Sequence, residues 1–247
     1  MAKLYVVATP IGNLGDITLR AIETLKNVDL IAAEDTRKAM ILLSHFQIRK
    51  KLMAYHNANE TRAAGKFLDL LHQGHSIALI SEAGTPTISD PGYRLIRAAT
   101  QAGIEVVSIP GPCAAITALS ISGFPTDRFL FLGFLPPKPG KKKQRLLSYA
   151  DCDCQIVLYE SPYRIRATLE LLLELYGERE VFIGRELTKL HETHLRGNLS
   201  EILSGFDRQT VKGEFVIIIN LKQGWSDNES DKFSGKETGV YDISGIG

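Results

Sequence analysis

Short apolar runs alternate with amphipathic stretches along the first half of the chain. The runs lie at residues 4–8, 28–33, 76–81 and 104–109 and are rich in valine, isoleucine, leucine and alanine, which is typical of buried β-strands. Parallel strands need long crossover connections and are buried on both faces. The pattern therefore predicts an α/β domain with a mainly parallel sheet that helices cover on both sides.

The stretches between these runs carry the signals of helices. Asp16 or Thr18 is placed to cap the first of them. Asn59 precedes a segment whose apolar residues recur at the spacing of one buried helix face. These residues are Ala64, Phe67, Leu68 and Leu71. Asp90 and Pro91 have the residue types of an N-cap and a first turn, and we expect a third helix to begin there.

After residue 122 the pattern restarts in a different form. Strand candidates lie at 129–135, 155–159, 181–187, 192–196 and 215–221. Only a short helix fits between the last two, so neighbouring strands there are expected to be antiparallel. The fold class predicted is two α/β domains, a mainly parallel one at 1–122 and one with a mixed sheet at 123–222. Residues 223–247 are polar, rich in Gly and Ser and aperiodic, which predicts a disordered tail.

Composition argues against a disordered or fibrous protein, but it does not select a function. Hydrophobic residues make up 44% and charged residues 23%, as in ordinary globular proteins, and the net charge is +1. The three cysteines, Cys113, Cys152 and Cys154, lack the spacing of a zinc site, so we expect no metal. The first residues lack the regions of a signal peptide, and no segment approaches the roughly 20 apolar residues of a membrane span. We therefore expect a cytoplasmic protein.

Candidate chemistry lies in the loops that follow the strands. Ligands of open α/β sheets bind beyond the carboxyl ends of the strands, so the loops at Thr9, Glu34, Glu82 and Pro110 should gather along one edge. The first loop has no G-x-G-x-x-G motif and no phosphate-binding lysine, and a structural turn competes there with a ligand loop. In the second loop, the spacing favours a helix cap for Asp90 over a ligand contact.

Two of these loops combine proline, glycine and small residues directly after a strand, and together with other segments they are similar to the tetrapyrrole methylase family. The segments are AEDTR at 33–37, YHNANE at 55–60, SEAGTPTISDPG at 81–92, PGPCAAITAL at 110–119, GFLP at 133–136, YESPYRI at 159–165 and RELTKLHE at 185–192. The resemblance extends in order from Lys3 to Leu221. It points to the branch of the family that methylates the ribose 2′-hydroxyl of a cytidine in small-subunit ribosomal RNA.

The resemblance implies a homodimer that binds S-adenosyl-L-methionine between its two domains, largely through main-chain atoms. The cofactor-binding residues that it implies are Pro10, Gly12, Ser81, Ala83, Gly84, Thr85, Asp90, Pro110, Gly111, Cys113, Ala114, Tyr159 and Glu160. Two positions depart from the family pattern, since Glu82 stands where Asp is usual and Cys113 where Ser is usual. Both changes conserve size or charge.

Methyl transfer to a hydroxyl needs an aligned nucleophile and a group that accepts its proton. His56 is our first candidate for the acceptor, because histidine changes charge near neutral pH and this one lies in a polar loop. Asp35 and Glu186 are further catalytic candidates. Lys189 is placed to stabilise the developing alkoxide, and an ordinary ion pair with Glu186 explains it equally well.

Phosphate contacts require local positive charge in this nearly neutral chain. The residues expected to bind RNA are Arg37, Lys138, Lys141, Lys142, Lys143, Arg145, Arg164 and Arg185. The run 138–145 is the densest basic segment among them and is expected to form a loop. A solvated charge run is the competing interpretation.

Two alternative functions stay open at this stage. A methylase of the same fold that acts on a tetrapyrrole or another small molecule would need an enclosed apolar pocket instead of basic loops. A non-catalytic RNA-binding or ribosome assembly protein would retain only a vestigial cofactor site. The intact loops at Thr9, Ser81 and Pro110 argue against such decay.

Overall fold

A computed structural model describes residues 2–206 and 212–222 of the chain. In order, its elements are β1 (Lys3–Val7), α1 (Leu19–Asn27), β2 (Leu30–Ala33), α2 (Thr36–His45), β3 (Lys51–Ala54), α3 (Glu60–His72), β4 (Ile77–Ile80), α4 (Tyr93–Gln101), β5 (Glu105–Ile109), α5 (Ala114–Ser122), β6 (Phe129–Phe134), α6 (Pro139–Leu147), β7 (Gln155–Glu160), α7 (Ile165–Tyr176), β8 (Glu180–Arg185), β9 (Thr193–Asn198), α8 (Leu199–Gly205) and β10 (Phe215–Asn220). None of the helices in these two ranges is long and apolar enough to cross a membrane. The predicted disordered tail at 223–247 lies outside the described residues.

The first sheet is parallel throughout its described strands, as predicted, with the order β3-β2-β4-β1-β5. One face packs on α1 and α2 through Leu25 and Leu43, and the other packs on α3 and α4 through Phe67 and Leu95. The edge strand β3 has no counterpart among the predicted strands. Its outer residues are exposed, so it lacks the continuous apolar run that marks a buried strand.

The helix that follows the β4 loop begins later than predicted, and the prediction that Asp90 caps it is wrong. α4 starts at Tyr93 after Gly92, whose φ of 143° lies outside the range that other residues favour. The Glu60 carboxylate, at the start of α3, accepts hydrogen bonds from the backbone N–H groups of Gly92 (3.1 Å) and Arg94 (3.3 Å). The cap therefore comes from a distant part of the chain, and Asp90 remains available for the cleft.

The second sheet is mixed, as predicted, with the order β6-β7-β10-β8-β9. The β6 and β7 pair is parallel, and the other described pairs are antiparallel. Helix α5 packs on this sheet, because Ala115 and Leu119 belong to one buried cluster with Val157, Phe182 and Ile218. We propose that the domain boundary, if drawn by packing, lies in the loop before α5 instead of at 122–123.

Candidate active site

The loops after β1, β2, β4 and β5 meet at one edge of the first sheet. Thr9 and Gly84 exchange two backbone hydrogen bonds, with N···O distances of 2.9 and 3.0 Å. The Thr85 hydroxyl donates to the carbonyl of Pro112 at 3.0 Å, and the backbone N–H of Glu82 donates to the Glu34 carboxylate at 3.2 Å. The convergence expected from the strand order is therefore present.

These loops form one wall of a cleft whose other wall is the second sheet. Its cavity volume is about 270 Å³, close to the lower end of small-molecule sites at roughly 300 Å³. Its lining residues are Ile11, Glu34, Glu82, Ala83, Gly84, Thr85, Ile88, Ser89, Asp90, Cys113, Ala114, Phe134, Tyr159, Glu160, Leu187, Lys189, Glu214, Phe215 and Val216. The second-sheet side of the cleft is thus largely apolar apart from Glu160, Lys189 and Glu214, and the loop side carries Glu34, Glu82 and Asp90.

Of the residues expected to bind a cofactor, one group lines this cleft. These residues are Ala83, Gly84, Thr85, Asp90, Cys113, Ala114, Tyr159 and Glu160. The others do not line it, and they are Pro10, Gly12, Ser81, Pro110 and Gly111. Two of these glycines serve close packing: a Cβ on Gly111 would lie 3.0 Å from the Ala8 Cβ, and one on Gly12 would collide with the Lys189 Cγ. Gly12 therefore lets the first loop reach the cleft wall of the second sheet.

The β4 loop is strained where it faces the cleft. Thr87 and Ser89 have φ values of 75° and 66°, which are uncommon for residues with a Cβ. Gly84 has a φ of 81°. Such conformations persist only where the surroundings impose them, and they are concentrated at binding sites.

Asp90 is the most perturbed carboxyl group in the cleft. Burial raises its pKa to about 7, the carboxylate of Glu34 adds to the rise, and the Ser81 hydroxyl opposes it. Burial also raises the pKa of Glu34; the hydrogen bond from the Glu82 backbone N–H opposes this rise, and the charge of the Glu82 carboxylate adds to it. The cleft therefore has an excess of negative charge that a cationic ligand would neutralise.

Several lining residues were missed by sequence reasoning because they come from the second sheet. Phe134, Leu187 and Val216 have the apolar character of core strands, and nothing in their spacing distinguishes a wall from a core position. Tyr159 connects β7 to the start of α5, since its hydroxyl accepts a hydrogen bond from the backbone N–H of Ala115 at 3.1 Å. Burial raises the pKa of Tyr159, so it stays neutral.

Lys189 is the catalytic candidate that reaches the cleft. Its Nζ lies 2.9 Å from Glu186 Oε1 and 2.8 Å from Glu214 Oε2. Although burial opposes the change, the hydrogen bonds to Glu214 and Glu186 raise the pKa of Lys189. The Lys189 hydrogen bond likewise lowers the pKa of Glu186 against the effect of burial. Both groups are therefore ionised at neutral pH, and Glu186 is a poor proton acceptor.

Asp35 and His56 lie beside the cleft and do not line it. Asp35 caps α2, accepting from the backbone N–H of Arg37 at 2.8 Å. The Arg37 guanidinium also donates to it, which lowers the pKa of Asp35 far below its ordinary range. The His56 imidazole makes no ion pair or hydrogen bond within residues 2–206 and 212–222, and it lies close enough to Glu34 for a protonated imidazole to lower the pKa of that carboxyl.

The basic run predicted as a loop is instead helix α6, with Lys138 before its first turn. Lys138, Lys141 and Arg145 are exposed, and Lys143 pairs with Glu174 at 2.6 Å on the surface. Lys142 is buried on the same face as Leu146, so its expected contact with RNA is wrong. A helix turns one face of any basic run toward the core, which a loop does not.

The Lys142 ammonium group belongs to a buried polar cluster under the cleft floor. Its Nζ donates to Thr168 Oγ1 at 2.8 Å and lies 3.6 Å from Glu160 Oε2. Thr168 donates to the same carboxylate at 2.7 Å, and Arg164 lies 3.3 Å from its other oxygen. Glu160 therefore holds β7, α6 and α7 together.

The remaining basic candidates have different surroundings. Arg164 donates to the carbonyl of Leu135 at 2.7 Å, and Arg185 donates to that of Lys212 at 2.7 Å, so both anchor loops. Arg37 is 89% exposed at the side chain and lies beside the cleft mouth. In the described part of the chain, no three His, Cys, Asp or Glu side chains are arranged to hold a metal ion.

Comparison with known proteins identifies the relatives of this chain. The family model of the tetrapyrrole (corrin/porphyrin) methylases matches residues 3–203. A Thermotoga maritima protein named ribosomal RNA small subunit methyltransferase I is 46% identical over 224 residues, 90% of this chain and 100% of that protein. The Vibrio cholerae protein of the same name is 51% identical over 220 residues, 88% of this chain and 76% of that protein.

A solved structure shares the fold. The crystal structure of uroporphyrin-III-C-methyltransferase from Thermus thermophilus superposes with a TM-score of 0.62 at 18% identity, covering 90% of this chain and 95% of that chain. At that identity the likeness concerns the arrangement of the two sheets and not the substrate.

Proposed function

The chain belongs to the tetrapyrrole methylase family, and from this premise we propose that it transfers a methyl group from S-adenosyl-L-methionine to the ribose 2′-hydroxyl of a cytidine in small-subunit ribosomal RNA. Relatives that are about half identical over most of the chain carry the name of a small-subunit ribosomal RNA methyltransferase. That observation carries the choice of RNA over a small-molecule substrate and over a non-catalytic assembly role.

The residues of the cleft fit this cofactor. The small side chains of Ala83, Gly84 and Ala114 leave main-chain groups accessible, and Ile11 and Val216 provide apolar walls for an adenine ring. The carboxyl groups of Asp90 and its neighbours suit a ligand that carries positive charge. When bound, S-adenosylmethionine supplies its methyl carbon on a sulfonium, whose carbon–sulfur bond breaks with the electron pair remaining on sulfur.

His56 is the proposed acceptor of the hydroxyl proton. Among the four catalytic candidates, Asp35, Glu186 and Lys189 are engaged in ion pairs whose partners fix them in their charged forms. His56 has no such partner among the described residues and lies close to Glu34 at the cleft wall. Proton transfer from the ribose hydroxyl to this imidazole would leave the alkoxide oxygen free to attack.

Lys189 is proposed to stabilise the negative charge that develops on the ribose oxygen. Lys189 lies on the β8–β9 loop and lines the cleft, and its ammonium group is fixed between Glu186 of that loop and Glu214, the residue before β10. A preorganised cation needs no rearrangement when the alkoxide forms, and this is where electrostatic stabilisation is largest. Positioning of the nucleotide against the methyl carbon would supply much of the remaining rate.

The RNA is proposed to cross exposed cations beside the cleft mouth. Arg37 lies there, and Lys138, Lys141 and Arg145 form the exposed side of α6. We further propose a cytoplasmic homodimer, since the family resemblance implies it and the substrate is assembled in that compartment. Sedimentation of the purified chain would measure its oligomeric state.

The decisive experiment is transfer of a labelled methyl group from S-adenosylmethionine to small ribosomal subunits from cells that lack this protein, with nuclease mapping of the product. A 2′-O-methylated cytidine is the expected product. If purified protein binds S-adenosylhomocysteine but modifies neither subunits nor naked ribosomal RNA, the proposed substrate is wrong.

A further inference from the structure

The segment from Thr36 to Lys51 contains no acidic residue. It forms α2, the turn after it and the first residue of β3. Its cations are Arg37, Lys38, Arg49, Lys50 and Lys51. In a chain whose total net charge is +1, this segment alone carries five positive charges and no negative one. We call this surface the α2–β3 face.

The cations at the far end of this face are not neutralised. Within residues 2–206 and 212–222, the side chains of Arg49, Lys50 and Lys51 form no ion pair and no hydrogen bond, and Arg49 and Lys51 are exposed. Some exposed lysines elsewhere do have partners, as Lys3 has in Glu105 at 2.9 Å. Unpaired cations that are adjacent in sequence produce a local positive potential that attracts polyanions.

The same face has a mainly polar groove beside its cations, and exposed apolar side chains of α2 border that groove. Met40 and the stem of Gln47 line it together with Arg49, Lys50 and Lys51. Met40 is 54% exposed, and its neighbour Ile41 on α2 is 66% exposed. An apolar strip bordered by cations matches a nucleic acid strand, which presents phosphates on one side and sugars and bases on the other.

The α2–β3 face is continuous with the cleft. At the start of α2, the Lys38 ammonium group pairs with Glu82, which lines the cleft. The helix then leads away from the cleft mouth toward Arg49. With ten residues, α2 is about 15 Å long, so a strand that leaves the cleft mouth along α2 passes the cations at both ends of this helix.

We infer that the α2–β3 face binds the phosphate backbone of the RNA substrate on one side of the target nucleotide, with Arg49 and Lys51 contacting phosphates. The inference rests on the proposed function and extends it to a surface outside α6. A second copy of the chain is a less suitable occupant, because a two-fold contact through this face would bring its unpaired cations against one another.

The test compares two double variants of equal charge change. Arg49→Gln with Lys51→Gln removes two exposed cations at the far end of the face, neither of which has a partner among the described residues. The matched control, Arg62→Gln with Lys66→Gln, removes two exposed cations of α3 that also form no pair within the described residues. α3 covers the opposite side of the first sheet. Binding to unmethylated small ribosomal subunits is measured at several salt concentrations, alongside S-adenosylhomocysteine affinity and sedimentation.

Loss of two phosphate contacts on a single strand should reduce the slope of log K against log salt by about 1.4, which corresponds to roughly 25-fold weaker binding at 0.1 M salt. KM for the subunit should rise while kcat and S-adenosylhomocysteine affinity stay as in the wild type. The control should retain the wild-type slope.

Three outcomes would overturn the inference. The first is a wild-type salt slope in the Arg49 and Lys51 variant while the wild-type enzyme methylates subunits, which would leave the proposed function intact. The second is an RNA defect that accompanies a change in oligomeric state, which would make the face a protein interface. The third is a wild-type protein that neither binds nor methylates subunits, which would remove the proposed function as well.

Discussion

Replacing Asp90 with asparagine should stabilise the protein at alkaline pH. In the folded chain, burial and the neighbouring carboxylates raise the pKa of Asp90 to about 7, against 3.8 for an ordinary aspartate. Between these two values the folded state retains a proton that the unfolded state has released. Wild-type stability therefore falls as pH rises through this window, and the loss is complete above about pH 7. Asparagine is isosteric and does not ionise.

The size of the effect follows from the same shift. A difference of 3.2 pKa units, from 3.8 to about 7, corresponds to about 4.4 kcal/mol at 1.36 kcal/mol per unit. Because the side chain is partly exposed, solvent screening reduces this to about 2 kcal/mol. For a chain of this size, that gain corresponds to a rise in Tm of about 4–8 °C.

The assay is urea denaturation of wild type and Asp90→Asn between pH 4 and pH 8. The difference in free energy of unfolding should be near zero at pH 4 and grow to about 2 kcal/mol at pH 8. A difference that does not change with pH, or a variant that is less stable at pH 8, would refute the reasoning. The same variant should bind S-adenosylmethionine more weakly while its affinity for uncharged S-adenosylhomocysteine changes less, because the carboxylate favours the sulfonium charge.

Three further substitutions test other parts of the structure. Lys142→Ala should lower the free energy of unfolding by about 3 kcal/mol, because it leaves the buried Glu160 carboxylate with Arg164 as its remaining cation. The control Lys141→Ala, at an exposed position, should change the free energy of unfolding little. Equal losses for the two variants in denaturant melts would contradict the burial of Lys142. Gly65→Ala should raise the free energy of unfolding by about 0.5–1 kcal/mol, because Gly65 lies inside α3 and open space surrounds the position of an added Cβ. A destabilised variant in the same denaturant melts would show that the site does not accept a methyl group. His56→Ala should lower kcat far more than S-adenosylhomocysteine affinity, and wild-type turnover would remove His56 as the proton acceptor.

Local patterns explain why much of the fold was predictable. Apolar runs of the first domain correspond to β1, β2, β4 and β5, and Thr18 caps α1 by accepting from the backbone N–H of Ala21 at 3.1 Å. These features depend on residues close together in the chain, where spacing and side-chain type carry the information. The sequence did not predict β3, because an exposed edge strand that begins with Lys51 has little apolar signal.

The sequence by itself determines most of the helices and strands and the loops that follow the strands, since both arise from local periodicity and turn chemistry. The tertiary structure decided the rest. Spacing along the chain predicts that Asp90 caps α4, but Glu60, thirty residues earlier, takes that role. In the sequence, Lys142 is one lysine of an apparently exposed basic run, but packing buries it and places its ammonium group against the Thr168 hydroxyl. Burial and partners assembled from distant segments set the charge state of a side chain, and one-dimensional spacing does not contain them.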